Sequence, residues 1–545
     1  MLSEVTRWAL PLGEWSKIGA VFVIALFLFS LCQLISDQNV GPVPPKLPET
    51  IPLVSNSVQL ATDTQGFWSR ARRTMQSLNT EIVRFRIGGR RVYLVVGETK
   101  TNPLFRTTTG LTSHYFTVLF AKILFGPTAE DAARFDADVS GRAKDPIPGT
   151  EHIKPEDRVW SRWHHIFAEH LVRTTATREL FAGFLDRFMA RTAELFPLNE
   201  PTEICIWEFL QCHLAECAGR ALMGDVIFDL NPDYLDALAD FDLAVMPVAF
   251  GPPRWLNPKP YWKRYRWHGM HRKFMKQALQ DYNWDTVNNN GWDPVFGSPL
   301  SRSLVRWGLD AGFATETVAG MWGQQTSNQN SNSVPAAAWS LMSALTCPDP
   351  DLLPNLRREA NAALITDSNG KPTLDLQKLL TSPWLQSVYT ETLRMRVIFS
   401  VVREAERDTN VDGFAIPKGA LIQAPIPLAH FNNAWAVEGH PPDEFWPQRH
   451  LTGDSMEGKE FSTTGRNGYW FPYGGGITMC PGRNFAKQEI LATLALLLTR
   501  FEIEAVEWVM VDGTGAKSDR EARDGEGFAV TRPDRDLKVR VLRKW

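Results

Sequence analysis
The pattern of apolar and polar positions divides the chain before any single residue is weighed. From Ile18 to Ile35 the residues are apolar except at Gly19, Ser30 and Gln33. A helix of this length, at about 1.5 Å per residue, nearly crosses a hydrocarbon core of about 30 Å. Trp15 stands at one border, where indoles favour the interface, and Asp37 ends the run. A transmembrane anchor over 18–36, behind a tail at 1–17, is therefore expected. A cleaved signal peptide is the competing reading, but no convincing small-x-small cleavage site follows. The bases flanking the run, Arg7 and Lys17 before it and Lys46, Arg70, Arg72 and Arg73 after it, do not orient it. The prolines of 41–48, with Pro52, then predict an extended, semi-rigid spacer over 37–52.

Beyond the spacer the period changes. Ile82–Ile87 and Arg91–Val96, parted by Gly88-Gly89, predict a β-hairpin. Residues 107–147 read as irregular and apolar, and 244–253 as apolar and turn-rich. Pro155-Glu156-Asp157-Arg158 opens a helix carrying Trp160, Arg162, Trp163, His164 and His165. Phe313 to Leu345 reads as one long helix with a polar middle, Gly323 to Ser333, interrupted by Pro335. Polar side chains inside a buried helix are costly unless they serve water or a ligand. Leu491, Leu494, Leu497, Leu498 and Phe501 form a helical stripe near the C-terminus, and 527–530 with 539–541 read as paired strands around a charged loop at 517–526.

Composition narrows the picture. At 545 residues with 44% hydrophobic content, the chain can bury a large core, and no repeat or Gly/Ser linker divides it. One large body over 53–545 is favoured. The net charge of −3 gives no reason to expect nucleic acid. The basic aromatic stretch Lys259 to Lys273 reads as a membrane-facing loop or a solvated helix face. Six cysteines lie scattered without paired spacing, which suggests a reducing compartment.

The most informative stretch is Phe471-Pro472-Tyr473-Gly474-Gly475-Gly476-Ile477-Thr478-Met479-Cys480-Pro481-Gly482-Arg483, which runs into the Leu-striped helix. Glycines let backbone approach something bulky, and a cysteine at a helix start meets unpaired amides that favour its ionisation. A buried structural cysteine is the plain alternative. The flanks resemble the haem-binding loop of the cytochrome P450 superfamily, with Tyr473 at its aromatic position, Gly476 at its glycine and Cys480 as axial thiolate. Thr478 stands where the family carries a base that meets a haem propionate. The Gly-x-Gly-x-x-x-Cys-Pro-Gly-Arg form, from Gly474 to Arg483, resembles the branch of sterol 7-alpha-hydroxylases and prostacyclin synthase.

The resemblance implies a mainly α fold with small β-sheets (α+β): a single haem-thiolate domain behind its transmembrane helix, loaded with haem b. It makes Cys480 the iron ligand, with Phe471, Gly474, Gly476 and Arg483 shaping the loop and Arg162 or His164 as propionate candidates. In the central helix two registers compete for the oxygen-activating position, Asn332-Ser333 before Val334-Pro335-Ala336, and Thr326 within Gly323-x-Gln325-Thr326-Ser327. Neither contains a carboxylate. Glu391 and Arg394, with Arg449 of a Pro-x-Arg motif that ends in His450 rather than an aromatic, are expected to form a buried charge network holding the loop. The implied function is a monooxygenase acting on a lipophilic sterol, terpenoid or secondary-metabolite intermediate. Its electrons come from an NADPH-cytochrome reductase, since no nucleotide-binding glycine fingerprint is evident. The implied site is the endoplasmic reticulum membrane, single-pass, with the domain cytosolic. A reductase-independent isomerase or dehydrase acting on a peroxide, and a non-enzymatic haem-binding protein, are the rival readings.

Overall fold
A computed structural model describes residues 42–51, 54–106, 110–284, 291–368, 370–453, 458–527 and 529–545. The expected anchor at 18–36 lies outside these residues, as do 37–41 and 52 of the expected spacer. Among the described residues, no helix is long and apolar enough to cross a membrane.

The hairpin forms as β1 (Ile82–Ile87) and β2 (Arg90–Val95), antiparallel with Ile87 opposite Arg90. Gly88, at φ +56°, takes the left-handed conformation of the turn. The stretch expected to be irregular contains a helix, α1 (His114–Phe125), closed by Gly126 in the left-handed region. A single 3₁₀ turn at Pro155–Asp157 then leads into α2 (Val159–Leu171) and, further on, a short strand β3 (Pro201–Cys205). The stretch read as turn-rich is the end of α3 (Tyr234–Phe250), which carries Pro247 inside it. Its apolar residues pack sideways, and one proline near a C-terminus does not end a helix held by neighbours. The basic aromatic stretch is helical throughout as α4 (Lys259–Asp281).

The central helix is α5 (Thr315–Thr346), 32 residues long and continuous through Pro335. The expected interruption does not occur, because α5 is buried along most of its length and packing outweighs the single hydrogen bond that proline removes. Next come α6 (Pro383–Arg396), β4 (Ser400–Ala405) and β5 (Leu421–Pro425). β5 pairs parallel with β2 and antiparallel with β4, so the hairpin joins a five-stranded sheet. The Leu-striped helix is α7 (Arg483–Arg500), and it passes directly into β6 (Phe501–Met510). β6 pairs with β7 (Arg535–Arg543), whose other edge takes β3. The partner of the C-terminal strand is therefore β6 and not 527–530, of which Val530 makes only an isolated bridge to Val397. In Phe501-Glu502-Ile503-Glu504-Ala505 the period switches from helical to alternating, a signal hidden by the leucine run before it.

The architecture is mainly helical with small sheets. α5 packs against α1, α4, α6 and α7, with Trp322 fully buried on it and Trp267 and Trp384 buried on α4 and α6. The five described cysteines, Cys205, Cys212, Cys217, Cys347 and Cys480, are all free.

Candidate active site
Cys480 closes the glycine loop just before α7. Its amide donates to the Tyr473 carbonyl at 3.0 Å, folding the loop back on itself. Gly476 has φ +60°, and a Cβ there would lie 1.7 Å from the Phe105 carbonyl oxygen, so only glycine fits. Gly474 is also left-handed, at φ +73°. Phe471 is buried and packs on Phe105, ring centroids 5.3 Å apart, and Arg483 Nη1 donates to the Cys480 carbonyl at 2.9 Å. Burial raises the Cys480 thiol pKa, against the opposing pull of the Gly482 amide, the Arg483 charge and the Arg483 amide. The helix-start amides thus act in the expected direction, but ready ionisation of the unligated thiol is not what results, because the sulfur lies too deep among protein atoms. Its surface is nevertheless accessible. A group both deep and accessible opens onto a hollow rather than onto the exterior.

Two guanidinium groups and an imidazole cluster nearby. Arg403 on β4 donates from Nη2 to Thr478 Oγ1 at 2.8 Å, two residues before Cys480. Burial lowers its pKa to about 10, with Arg142 adding repulsion. Arg142, whose pKa burial also lowers, donates to Thr117 Oγ1 at 3.3 Å. His164 on α2 is held at about 4 by burial, then by Arg142 and His165. Among the described residues none of the three has a carboxylate partner. Two buried guanidinium groups without counter-ions, beside a neutral imidazole that can donate, make a site that calls for anions. Arg162, by contrast, faces outward and pairs with Glu169 at 3.2 Å. Arg142 and Arg403 were not foreseen in this role. They come from segments far apart in the chain, and only Thr478, standing where a base is usual, hinted that the charge arrives from elsewhere.

On α5 the polar middle divides by face. Thr326 is fully buried, 3.2 Å from the Tyr234 hydroxyl, which itself lies 2.9 Å from His271 Nε2. Ser327 donates to Asp242 Oδ1 at 2.9 Å, and Arg532 donates to the other carboxylate oxygen at 3.1 Å. Asn328 is exposed and Gln329 and Asn332 half-buried, although the helix is buried on both sides of them. Positions i, i+1 and i+4 share one face. Ser333 is buried beside Glu489 of α7, whose Oε1 accepts from Gln329 Nε2 at 3.1 Å. Burial raises the Glu489 carboxyl to about 7, against the stabilisation that Ser333 and Gln329 give its anion. The carboxylate absent from the central helix is thus supplied by the helix that follows Cys480, and Glu489 Oε2 has no hydrogen-bond partner among the described residues.

The expected charge network is present. Glu391 accepts from Arg394 Nε and Nη2 and from Arg449 Nε, all at 2.8 Å. His450 Nε2 lies 2.9 Å from the same carboxylate. Burial resists ionisation of Glu391, but Arg394 and then His450 more than offset it and hold the carboxyl well below its ordinary range. Burial lowers His450, against Glu391, so the imidazole is neutral at pH 7 and adds a hydrogen bond without a third positive charge. Arg394 Nη1 also donates to the His430 carbonyl at 2.8 Å, and His430 Nε2 receives the Phe471 amide at 3.4 Å. The network therefore reaches the cysteine loop.

Comparisons with known proteins agree with this arrangement. The Cytochrome P450 family model matches residues 334–514. The crystal structure of the cytochrome P450DA heme domain superposes with a TM-score of 0.65 over 93% of this chain and 98% of its own, at 16% identity. Cytochrome P450 monooxygenase fsoE of Humicola fuscoatra is 32% identical over 56% of this chain and 57% of its own. Cytochrome P450 monooxygenase calL of Penicillium decumbens is 38% identical over 90% of this chain and 92% of its own. These relatives are fungal monooxygenases and do not carry the narrower likeness to sterol 7-alpha-hydroxylases and prostacyclin synthase. Sustained identity over nine-tenths of both chains, on a fold that brings a deep cysteine and a cationic cluster together, makes this chain a monooxygenase of the cytochrome P450 superfamily.

Proposed function
We propose that the chain holds haem b against Cys480 and uses it to oxygenate a secondary-metabolite intermediate, with electrons from an NADPH-cytochrome reductase. The observation that carries this is the pairing of a deep but accessible sulfur with a cationic cluster lacking anions. A haem brings both missing partners, a metal for the thiolate and two carboxylate arms for Arg142, His164 and Arg403. When bound, the haem supplies dioxygen reduction and oxygen-atom transfer. The protein's part is to place and to protonate. Gly474 and Gly476 keep side chains out of the Cys480 loop, and Arg483 braces it. The Glu391 network fixes the loop's distance from α6. Glu489 holds a proton on a carboxyl poised near neutrality, beside Ser333 and Gln329, where a general acid is most effective. That carboxyl answers the gap in the central helix on which the peroxide-isomerase reading rested. The relatives' names add support for monooxygenase chemistry.

The membrane reading stays part of this proposal: an anchor over 18–36 places the body on the endoplasmic reticulum, facing the cytosol. Phe250, Trp255, Leu256, Trp262 and Tyr265 are exposed around the α3–α4 junction. Of the bases among them, Lys263 pairs with Asp240 at 2.8 Å and Arg266 with Asp233 at 2.5 Å, while Arg254 lies over the Trp262 ring and Lys259 stays exposed. What remains outward is mostly apolar and aromatic with two bases, which suits a bilayer interface better than nucleic acid. The test of the central reading is the carbon-monoxide difference spectrum of the reduced full chain. A thiolate-type band is expected, and Cys480→Ala abolishes it. A band that survives in that variant refutes the ligand assignment.

A further inference from the structure
Resting on the monooxygenase reading, we infer that the substrate carries two hydrogen-bonding oxygen functions about one helical turn apart, which engage Asn328 and Asn332 of α5.

The polar run of α5 is not uniformly solvated. Gln325 donates to the Trp322 carbonyl, Ser327 to Asp242, Gln329 to Glu489, and Asn330 to the Ala215 carbonyl. Thr326 lies against Tyr234, and Ser331 against Ser327. Each of these side chains makes at least one hydrogen bond within the protein, although Gln325 Oε1, Gln329 Oε1 and Asn330 Oδ1 are buried with no partner among the described residues, and none is as open as Asn328. Asn328 and Asn332 differ. Gln324 Nε2 donates to Asn328 Oδ1 at 2.7 Å, which fixes that amide with its Nδ2 turned to the open face. Asn332 Nδ2 donates to the Asn328 carbonyl at 2.9 Å, which fixes that amide with its Oδ1 outward. The face thus presents one oriented donor and one oriented acceptor, neither with a protein partner among the described residues. Spacing i, i+4 puts them about 6 Å apart along the axis.

The two residues sit where an otherwise buried helix opens, one and three residues from Gln329, which touches α7 downstream of Cys480. We place them on the wall of the hollow onto which Cys480 opens. An apolar ligand there would strip water from both amides and return no hydrogen bond, losing affinity at each. A ligand with an accepting and a donating oxygen at matching separation replaces that water. The substrate class follows: a cyclic or polycyclic skeleton already bearing hydroxyl or carbonyl groups. A hydrocarbon or a singly oxygenated sterol does not fit. An earlier oxidation or an oxygen-rich assembly reaction must therefore supply it.

The test uses holoprotein and a matched probe set: decalin, 1-decalol, decalin-1,4-diol and decalin-1,2-diol. Binding is read by calorimetry and by the haem absorbance shift on ligand entry. The 1,4-diol separates its oxygens by about a helical turn, while the 1,2-diol has the same polarity at the wrong spacing. Expected is dissociation at least about tenfold weaker for the hydrocarbon and for the 1,2-diol than for the 1,4-diol, the worth of about one hydrogen bond. In Asn328→Leu/Asn332→Leu the 1,4-diol loses about that factor and decalin gains. The single variant Asn332→Leu shows a smaller change in the same sense. The inference is overturned by decalin binding as tightly as the 1,4-diol, by the two diols binding alike, by an unchanged order in the double variant, or by no 1,4-diol binding. An intact carbon-monoxide band in each protein shows that such a failure belongs to the substrate inference and not to haem ligation.

Discussion
Glu489 is the side chain whose role is most open to direct measurement. Its carboxyl is fully buried and raised from 4.5 to about 7. The folded protein then binds this proton more tightly than the unfolded chain, so the stability it contributes is complete below about pH 4.5 and is lost as pH rises through about 7. The shift corresponds to about 3 kcal/mol. Glu489→Gln keeps the size and the neutral form. Its unfolding midpoint is therefore expected to match that of the parent near pH 4, to exceed it increasingly between about pH 4.5 and 7, and to keep a constant lead above that. A constant difference between about pH 4.5 and 7 contradicts a titrating Glu489. Glu489 also marks where reading the sequence stops. Cys480 stands out because its evidence is local: glycines, a proline and a helix start within thirteen residues. Glu489, Arg142 and Arg403 sit in unremarkable contexts, and their function arises only when distant segments meet.

Elements were legible where one period ruled and hidden where two abutted. The β1–β2 hairpin announced itself by alternation around Gly88-Gly89, and α5 by its length. β6 was masked by the leucines of α7, and Pro247 and Pro335 looked like breaks because packing cannot be seen in one dimension. α6 shows how an ordinary pattern acquires meaning. Glu391 and Arg394, at i and i+3, resemble any surface pair, yet both side chains are fully buried. Removing the carboxylate strands two guanidinium groups away from water. Glu391→Ala is expected to cost about 3–5 kcal/mol in urea unfolding and to weaken haem retention through His430 and Phe471. His450→Phe, which restores the family's aromatic, removes only a neutral donor and should cost about 1–3 kcal/mol. Equal losses in the two variants contradict the charge assignment.

At the scale of the whole molecule, the question is which surface meets the bilayer if residues 18–36 act as an anchor. An anchor alone tethers the body without orienting it. The exposed group at the α3–α4 junction supplies a second contact: Trp255 is 83% exposed, Tyr265 66% and Leu256 62%. Soluble surfaces rarely gather large apolar side chains without an occupant. Because Lys263 and Arg266 are already paired with Asp240 and Asp233, only Arg254 and Lys259 are left to meet anionic lipid, and apolar insertion is the larger part of the attraction to this face. A chain lacking residues 1–36 is accordingly expected to float with phosphatidylcholine vesicles and to lose that association when Trp255, Leu256, Trp262 and Tyr265 are all changed to serine. Raising salt to 1 M should leave the binding intact, since charge screening does not weaken apolar insertion. Binding that vanishes in salt, or survives the four serines, assigns the membrane contact to another face and leaves α3 and α4 with an apolar surface whose occupant is a protein.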